Sequence, residues 1–139
     1  MNGKAFFDSN IICYAFDTKD KEKKEKAKEL LKNWMSSGKL VISTQVLQEV
    51  FVVLTRKTKP PLKPEKTKEI LEVFLPFEIV QITPELIFKA IDILIKHRIS
   101  FWDALIISAA VKAKCKVVFT EDLNDGQIIE GVTIINPFR

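Results

Sequence analysis

The sequence predicts an open α/β fold on a central, mostly parallel sheet of about five strands. Three observations carry that prediction. Short runs apolar on both faces recur along the chain, as buried parallel strands require. Longer stretches of helical periodicity separate them, and hairpin signals are few. The 139 residues suit one domain, 1–139, large enough to bury a real core.

The elements follow in order. Lys4 to Phe7 reads as a first buried strand, and a short helix follows from about Asn10 to Tyr14. Lys19 to Lys32 is a helix dense in Lys and Glu, closing on Leu30, Leu31, Trp34 and Met35. Its Glu22–Lys26 pair at i,i+4 favours a solvated face over a dedicated RNA-binding arm. Ser37-Gly38 breaks that helix, and Leu40 to Ile42 forms the second strand. Ser43 or Thr44 caps the next helix, in which Leu47, Val50, Phe51 and Leu54 recur at i, i+3, i+4, i+7.

Lys59-Pro60-Pro61-Leu62-Lys63-Pro64 is a loop, with Pro64 opening a helix that runs to about Leu75 before Pro76 stops it. Phe77 to Ile82 is the third strand. Thr83-Pro84-Glu85 opens a helix ending near His97, and Ser100 begins another that reaches about Lys114. Val117 to Thr120 is the fourth strand and Val132 to Ile135 the fifth.

Composition narrows the class. Hydrophobic residues at 47% and charged residues at 29% are ordinary for a soluble protein. No apolar run approaches the roughly 18 residues of a membrane span, and Asp8 interrupts any leader-like start, so a cytoplasmic protein is expected. Cys13 and Cys115 stand alone and read as reduced, buried thiols. The net charge of +4 favours polyanions mildly, though solubilising lysine accounts for it as well.

Against that positive charge, carboxylates gather where strands end. Right-handed crossovers put the C-terminal ends of parallel strands on one edge, where ligands bind in such sheets. Asp8 ends the first strand, and Thr120-Glu121-Asp122-Leu123-Asn124-Asp125 ends the fourth. Each acid has an ordinary explanation. Asp8 suits a helix cap, and Asp122 and Asp125 suit a turn before Gly126. Asp103 completes a capping box with Ser100, although Ile106, Ile107 and Ala110 share its face. Glu49 shares a helix face with Val46, Val50 and Val53, where a carboxylate is rare unless paired or metal-bound.

Together these four acids, Asp8, Glu49, Asp103 and Asp122, converge on one sheet edge, where like charges repel by kilocalories unless neutralised. A single histidine and no cysteine cluster argue against zinc. An all-oxygen set suits Mg²⁺ or Mn²⁺, and such ions in a basic protein point to phosphoryl chemistry on a polyanion.

Four stretches then resemble the motifs of PIN domains: Phe7-Asp8-Ser9-Asn10-Ile11, Ser43 to Glu49, Phe101-Trp102-Asp103-Ala104-Leu105-Ile106, and Thr120-Glu121-Asp122-Leu123. They stand in the family's order and spacing over nearly the whole chain, and within the family the chain looks most like VapC-type toxins. The resemblance implies a three-layer α/β/α sandwich. It implies that Asp8, Glu49, Asp103 and Asp122 bind Mg²⁺ or Mn²⁺ and position a water, with Asn10 and Thr120 as polar supports. Asp125 aligns as an auxiliary acid or as part of the turn, and Glu121 as a solvent-facing bystander.

The activity so implied is metal-dependent endonucleolytic cleavage of RNA, single-stranded or structured, with in-line attack by water leaving a 5′-phosphate. It further implies a cognate antitoxin and a homodimer. Rim lysines and arginines would add salt-dependent affinity. Phe101 and Trp102 are expected in the core rather than against a base. A PIN nuclease of RNA processing, or a PIN-like module that binds metal and RNA without turnover, are the alternatives. A receiver domain, a haloacid-dehalogenase-like phosphatase and a Ser-His-Asp hydrolase each lack a required residue: the mid-chain Asp, the second Asp of Asp-x-Asp, and a Gly-x-Ser-x-Gly elbow.

Overall fold

The computed structural model describes residues 3–139. Its elements are β1 (Ala5–Phe7), α1 (Ser9–Tyr14), α2 (Lys21–Ser37), β2 (Leu40–Ser43), α3 (Thr44–Arg56), α4 (Pro64–Glu72), β3 (Glu78–Val80), α5 (Pro84–His97), α6 (Phe101–Lys112), β4 (Val117–Phe119), β5 (Ile128–Ile129) and β6 (Val132–Ile135).

The sheet has six strands in the order β3-β2-β1-β4-β6-β5, all neighbours parallel except the β5–β6 pair. The expected count of about five falls one short, because β5 has two residues and offers no run to read. Glu130 and Gly131, both at positive φ (52° and 81°), turn it back onto β6. Two such residues between apolar pairs are the signature of a tight hairpin. The third strand is shorter than Phe77 to Ile82, since Phe77 still belongs to the turn after α4 and Ile82 N–H leaves the sheet for Thr44 Oγ1.

Chain direction fixes the layers. From β1 the chain steps to β2 and on to β3, so right-handed crossovers put α1 to α4 on one face. It then returns past β1 to β4, which puts α5 and α6 on the other. Packing agrees: α1 lies against α2 and α3, α3 against α4, and α5 against α6. This is the expected three-layer sandwich.

Caps explain the helix ends. Asp20 starts α2 by accepting from Lys23 N–H, and Gly38, at φ 74°, ends it in the left-handed conformation that glycine adopts without steric cost. Ser43 caps α3, Thr83 caps α5 and Ser100 caps α6. The buried stripe of α3 is Val46, Val50 and Leu54, whereas Phe51, expected inside, reaches solvent. Helix α6 is buried from Ala104 to Ala110, wedged between the sheet and α5 and tied to it by Ser108 Oγ donating to Leu86 O. The core centres on Phe6, Phe7, Ile42, Ile107 and Ile134, so β1, β2, β4 and β6 form a rigid platform.

Candidate metal centre

The order of strand addition reverses between β1 and β4, and there the site forms. The two strands pair with Phe7 opposite Phe119, and Asp8 N–H donates to Phe119 O at 3.0 Å. Asp8 is thus carried off the end of β1 beside Thr120. It also caps α1, accepting from Ser9 N–H at 2.7 Å through Oδ1. Capping and site membership turn out to be compatible, since the other oxygen, Oδ2, accepts from Thr120 Oγ1 at 2.8 Å.

Asp8, Asp103 and Asp122 each offer a carboxylate oxygen, and these oxygens all lie within 4.8 Å of one another. They come from a strand end, the first turn of α6 and the loop after β4, three segments far apart in sequence. The capping-box explanation of Asp103 is half right. Ser100 Oγ accepts from Asp103 N–H at 3.1 Å, but the Asp103 carboxylate makes no return bond among the described residues. Its oxygens stay available to the cluster.

Glu49 stands beside this triad rather than within it. Ser9 Oγ donates to its Oε1 at 3.0 Å, and Gln45 Nε2 reaches its Oε2 at 3.3 Å. Ser9 therefore lies between Glu49 and Asp8, a relation that the sequence reading passed over; Gln45 was readable only as the i,i+4 neighbour of Glu49. Asn10 lies next to Asp122 and favours its charged form, yet both its amide atoms are buried without a well-formed hydrogen bond. Asp125 does something else: its Oδ1 accepts from Asn136 N–H at 2.8 Å and holds the loop onto the end of β6.

Electrostatics reflect this crowding. Burial pushes the Asp8 carboxyl up to about 7 despite the opposing bonds from Thr120 and Ser9, and the charges of Asp122 and Glu49 push the same way. Asp122 is held above the usual carboxylate range, first by partial burial and then by Asp103. No cationic side chain bonds to any of the three acids among the described residues. A buried acid of this kind is stabilised in its ionised form by a cation. The hard, all-oxygen donor set fits a small divalent ion.

Two expectations about neighbours are corrected. Glu121 is not a solvent-facing bystander: it accepts from Tyr14 Oη and pairs with Lys23 Nζ, whose ammonium also lies over the Tyr14 and Phe138 rings at 4.8 and 5.3 Å. This anchor fixes the backbone just before Asp122. Trp102 is not a core residue; it lies on the surface at the start of α6, with Phe101 packed edge-on against it. Cys13 and Cys115 are free and buried, with burial pushing each thiol up to about 12, so the thiolate form is disfavoured at neutral pH.

The family model described as the PIN domain matches residues 5–125. No curated protein sequence matches the chain. Among solved structures, a toxin–antitoxin complex from Klebsiella pneumoniae contains a similar chain, with TM-score 0.72 and 22% identity over 96% of this chain and 98% of that one. VapC20 from Mycobacterium tuberculosis, described as a sarcin-ricin loop cleaving toxin, gives 0.68 and 21% over 86% and 92%. DNA-bound VapBC from Salmonella typhimurium gives 0.66 and 20% over 94% and 96%. At such identities the likeness is one of fold.

Proposed function

Because this chain belongs to the PIN domain family, we propose that it is a Mg²⁺- or Mn²⁺-dependent endoribonuclease, acting as one domain over 1–139 in the cytoplasm. The observation that carries the reading is the convergence of Asp8, Asp103 and Asp122 oxygens within 4.8 Å at the sheet edge. The toxin–antitoxin proteins among the structural neighbours support a further step, that it is the toxin of such a pair with a cognate antitoxin; a homodimeric form is part of the proposal on the resemblance alone. No helix among the described residues is long and apolar enough to cross a membrane.

Asp8, Asp103 and Asp122 would hold the ion. When bound, it supplies charge neutralisation and Lewis acidity toward a water and a scissile phosphate. The protein's own part is positioning. Thr120 Oγ1 donates to Asp8 and accepts from Asp122 N–H at 3.1 Å, so one hydroxyl sets two of the three acids. Glu49, held by Ser9 and Gln45 at the edge of the triad, keeps a carboxylate able to take a proton from an attacking water. A single-stranded RNA backbone suits a shallow edge site better than a duplex does.

The test is cleavage of single-stranded RNA by purified protein with Mg²⁺ or Mn²⁺, beside Asp8→Asn and Asp103→Asn. Wild type should cut, and EDTA or either substitution should abolish cutting. Mutants as fast as wild type would overturn the assignment.

A further inference from the structure

A groove of about 460 Å³ opens next to the carboxylates, between α3 and the start of α6. Its lining includes Ser9, Gln45, Gln48, Glu49, Lys57 and Trp102, with two valines of α3 between them. Ser9 and Glu49 belong to both groove and acidic site, so whatever occupies one lies against the other. We propose that this groove is a nucleobase subsite, in which an unstacked base of the RNA substrate packs on the Trp102 indole beside the scissile bond. The inference rests on the ribonuclease reading and adds to it where substrate recognition resides.

Four features favour a base over other occupants. Trp102 is 61% exposed, although indole is the side chain with most to gain from burial. Its ring is braced from one side by Phe101 at 5.1 Å and 74°, so it offers a platform of fixed orientation. Such aromatic platforms hold single-stranded nucleic acid by stacking. The polar lining is mixed, with the carboxylate of Glu49, the ammonium of Lys57 and the amide of Gln48. A continuous run of phosphates would meet Glu49 unfavourably, whereas an uncharged planar base between the two charges does not, and Lys57 remains to meet the neighbouring phosphate.

Gln45 supplies the fourth feature. Its Nε2 contacts two acceptors, Glu49 Oε2 and Trp102 O, both at 3.3 Å, which fixes the amide's orientation. Its Oε1 is then a buried acceptor without a partner, in a side chain that lines the groove. An N–H donor on a base edge is the kind of group that acceptor lacks.

The experiment compares wild type, Trp102→Ala and Trp102→Phe in binding short single-stranded RNAs, each carrying one abasic position, with Ca²⁺ as the divalent ion. Stacking on an aromatic ring is lost with either partner. One abasic position should therefore weaken wild-type binding about tenfold or more. It should weaken Trp102→Phe binding similarly, and leave Trp102→Ala binding, already weak, unchanged. Circular dichroism melts confirm that each variant is folded. Equal abasic penalties in wild type and Trp102→Ala would overturn the proposal, as would a loss of self-association in Trp102→Ala, which would assign the groove to a second copy of the chain. A wild type that binds with base dependence yet cuts no RNA would leave the subsite standing and overturn the nuclease reading alone.

Discussion

The hydroxyl of Thr120 donates to Asp8 Oδ2 at 2.8 Å and accepts from the backbone N–H of Asp122 at 3.1 Å. A fully buried side chain at the end of one strand thereby links the acids of two. Thr120→Val keeps the shape and deletes both bonds, leaving the Asp122 N–H and the buried Asp8 carboxylate less satisfied. The expected cost is about 1–3 kcal/mol of stability. Cleavage should fall about 10- to 100-fold, as when a group supporting metal ligands is removed. Thr120→Ser should restore most of both; melting curves beside RNA-cleavage rates decide.

The three acids should oppose one another in the metal-free protein and cooperate in the loaded one. Asp122→Asn or Asp103→Asn is expected to raise the metal-free melting temperature by relieving repulsion. Saturating Mn²⁺ should stabilise wild type, by about 2.7 kcal/mol at a hundredfold excess over its dissociation constant. The same ion should leave the variants almost unmoved. A wild type indifferent to Mn²⁺ in the melt would contradict this.

Burial of Asp8 makes stability depend on pH in a definite direction. Its folded pKa, about 7, lies above the ordinary 3.8, so the native state holds a proton that the unfolded chain releases. Its contribution is fully present below about pH 4 and is lost as pH rises toward 7, amounting to roughly 4 kcal/mol at most. Denaturant melts in EDTA should therefore show less stability at neutral than at mildly acidic pH, with Asp8→Asn flattening that slope. Divalent ions should oppose it, since they favour the ionised carboxylate.

The Tyr14–Glu121–Lys23 cluster should matter to the site from outside it. Glu121→Ala removes an acceptor from both Tyr14 and Lys23 and frees the backbone before Asp122. A drop of a few degrees in melting temperature is expected for a partly exposed cluster. A weaker apparent affinity for Mn²⁺, read by titration, would accompany it. Unchanged affinity would limit the cluster to a role in folding.

Much of this was readable in advance because it depends on local pattern. The alternation of helices and short apolar strands specifies the sandwich, and strand ends bearing Asp8 and Asp122 mark the edge. What was missed depends on distant partners or on phase. Glu121 finds Tyr14 and Lys23 some 107 and 98 residues back, where no periodicity reaches. Trp102 was misplaced because Phe101 and Trp102 open an apolar helix, and both look like core. Only the cap at Ser100 sets which of them turns outward. Sequence likewise grouped Glu49 with the other acids, while side-chain reach puts Ser9 between it and Asp8. Residue pairing across β5 and β6 was invisible at two residues' length.

The pairing of Phe7 with Phe119 has one more consequence, for how this protein can tolerate change in chain length. Strand side chains alternate faces, so adding or deleting a single residue within Ala5–Phe7 or Val117–Phe119 would turn Asp8 or Thr120 toward the opposite layer. Insertions in the Lys59–Pro64 loop meet no such constraint. The chain should therefore accept length variation beside its prolines and almost none in the three residues before each strand's terminal acid or hydroxyl, a pattern a library of single-codon insertions would expose.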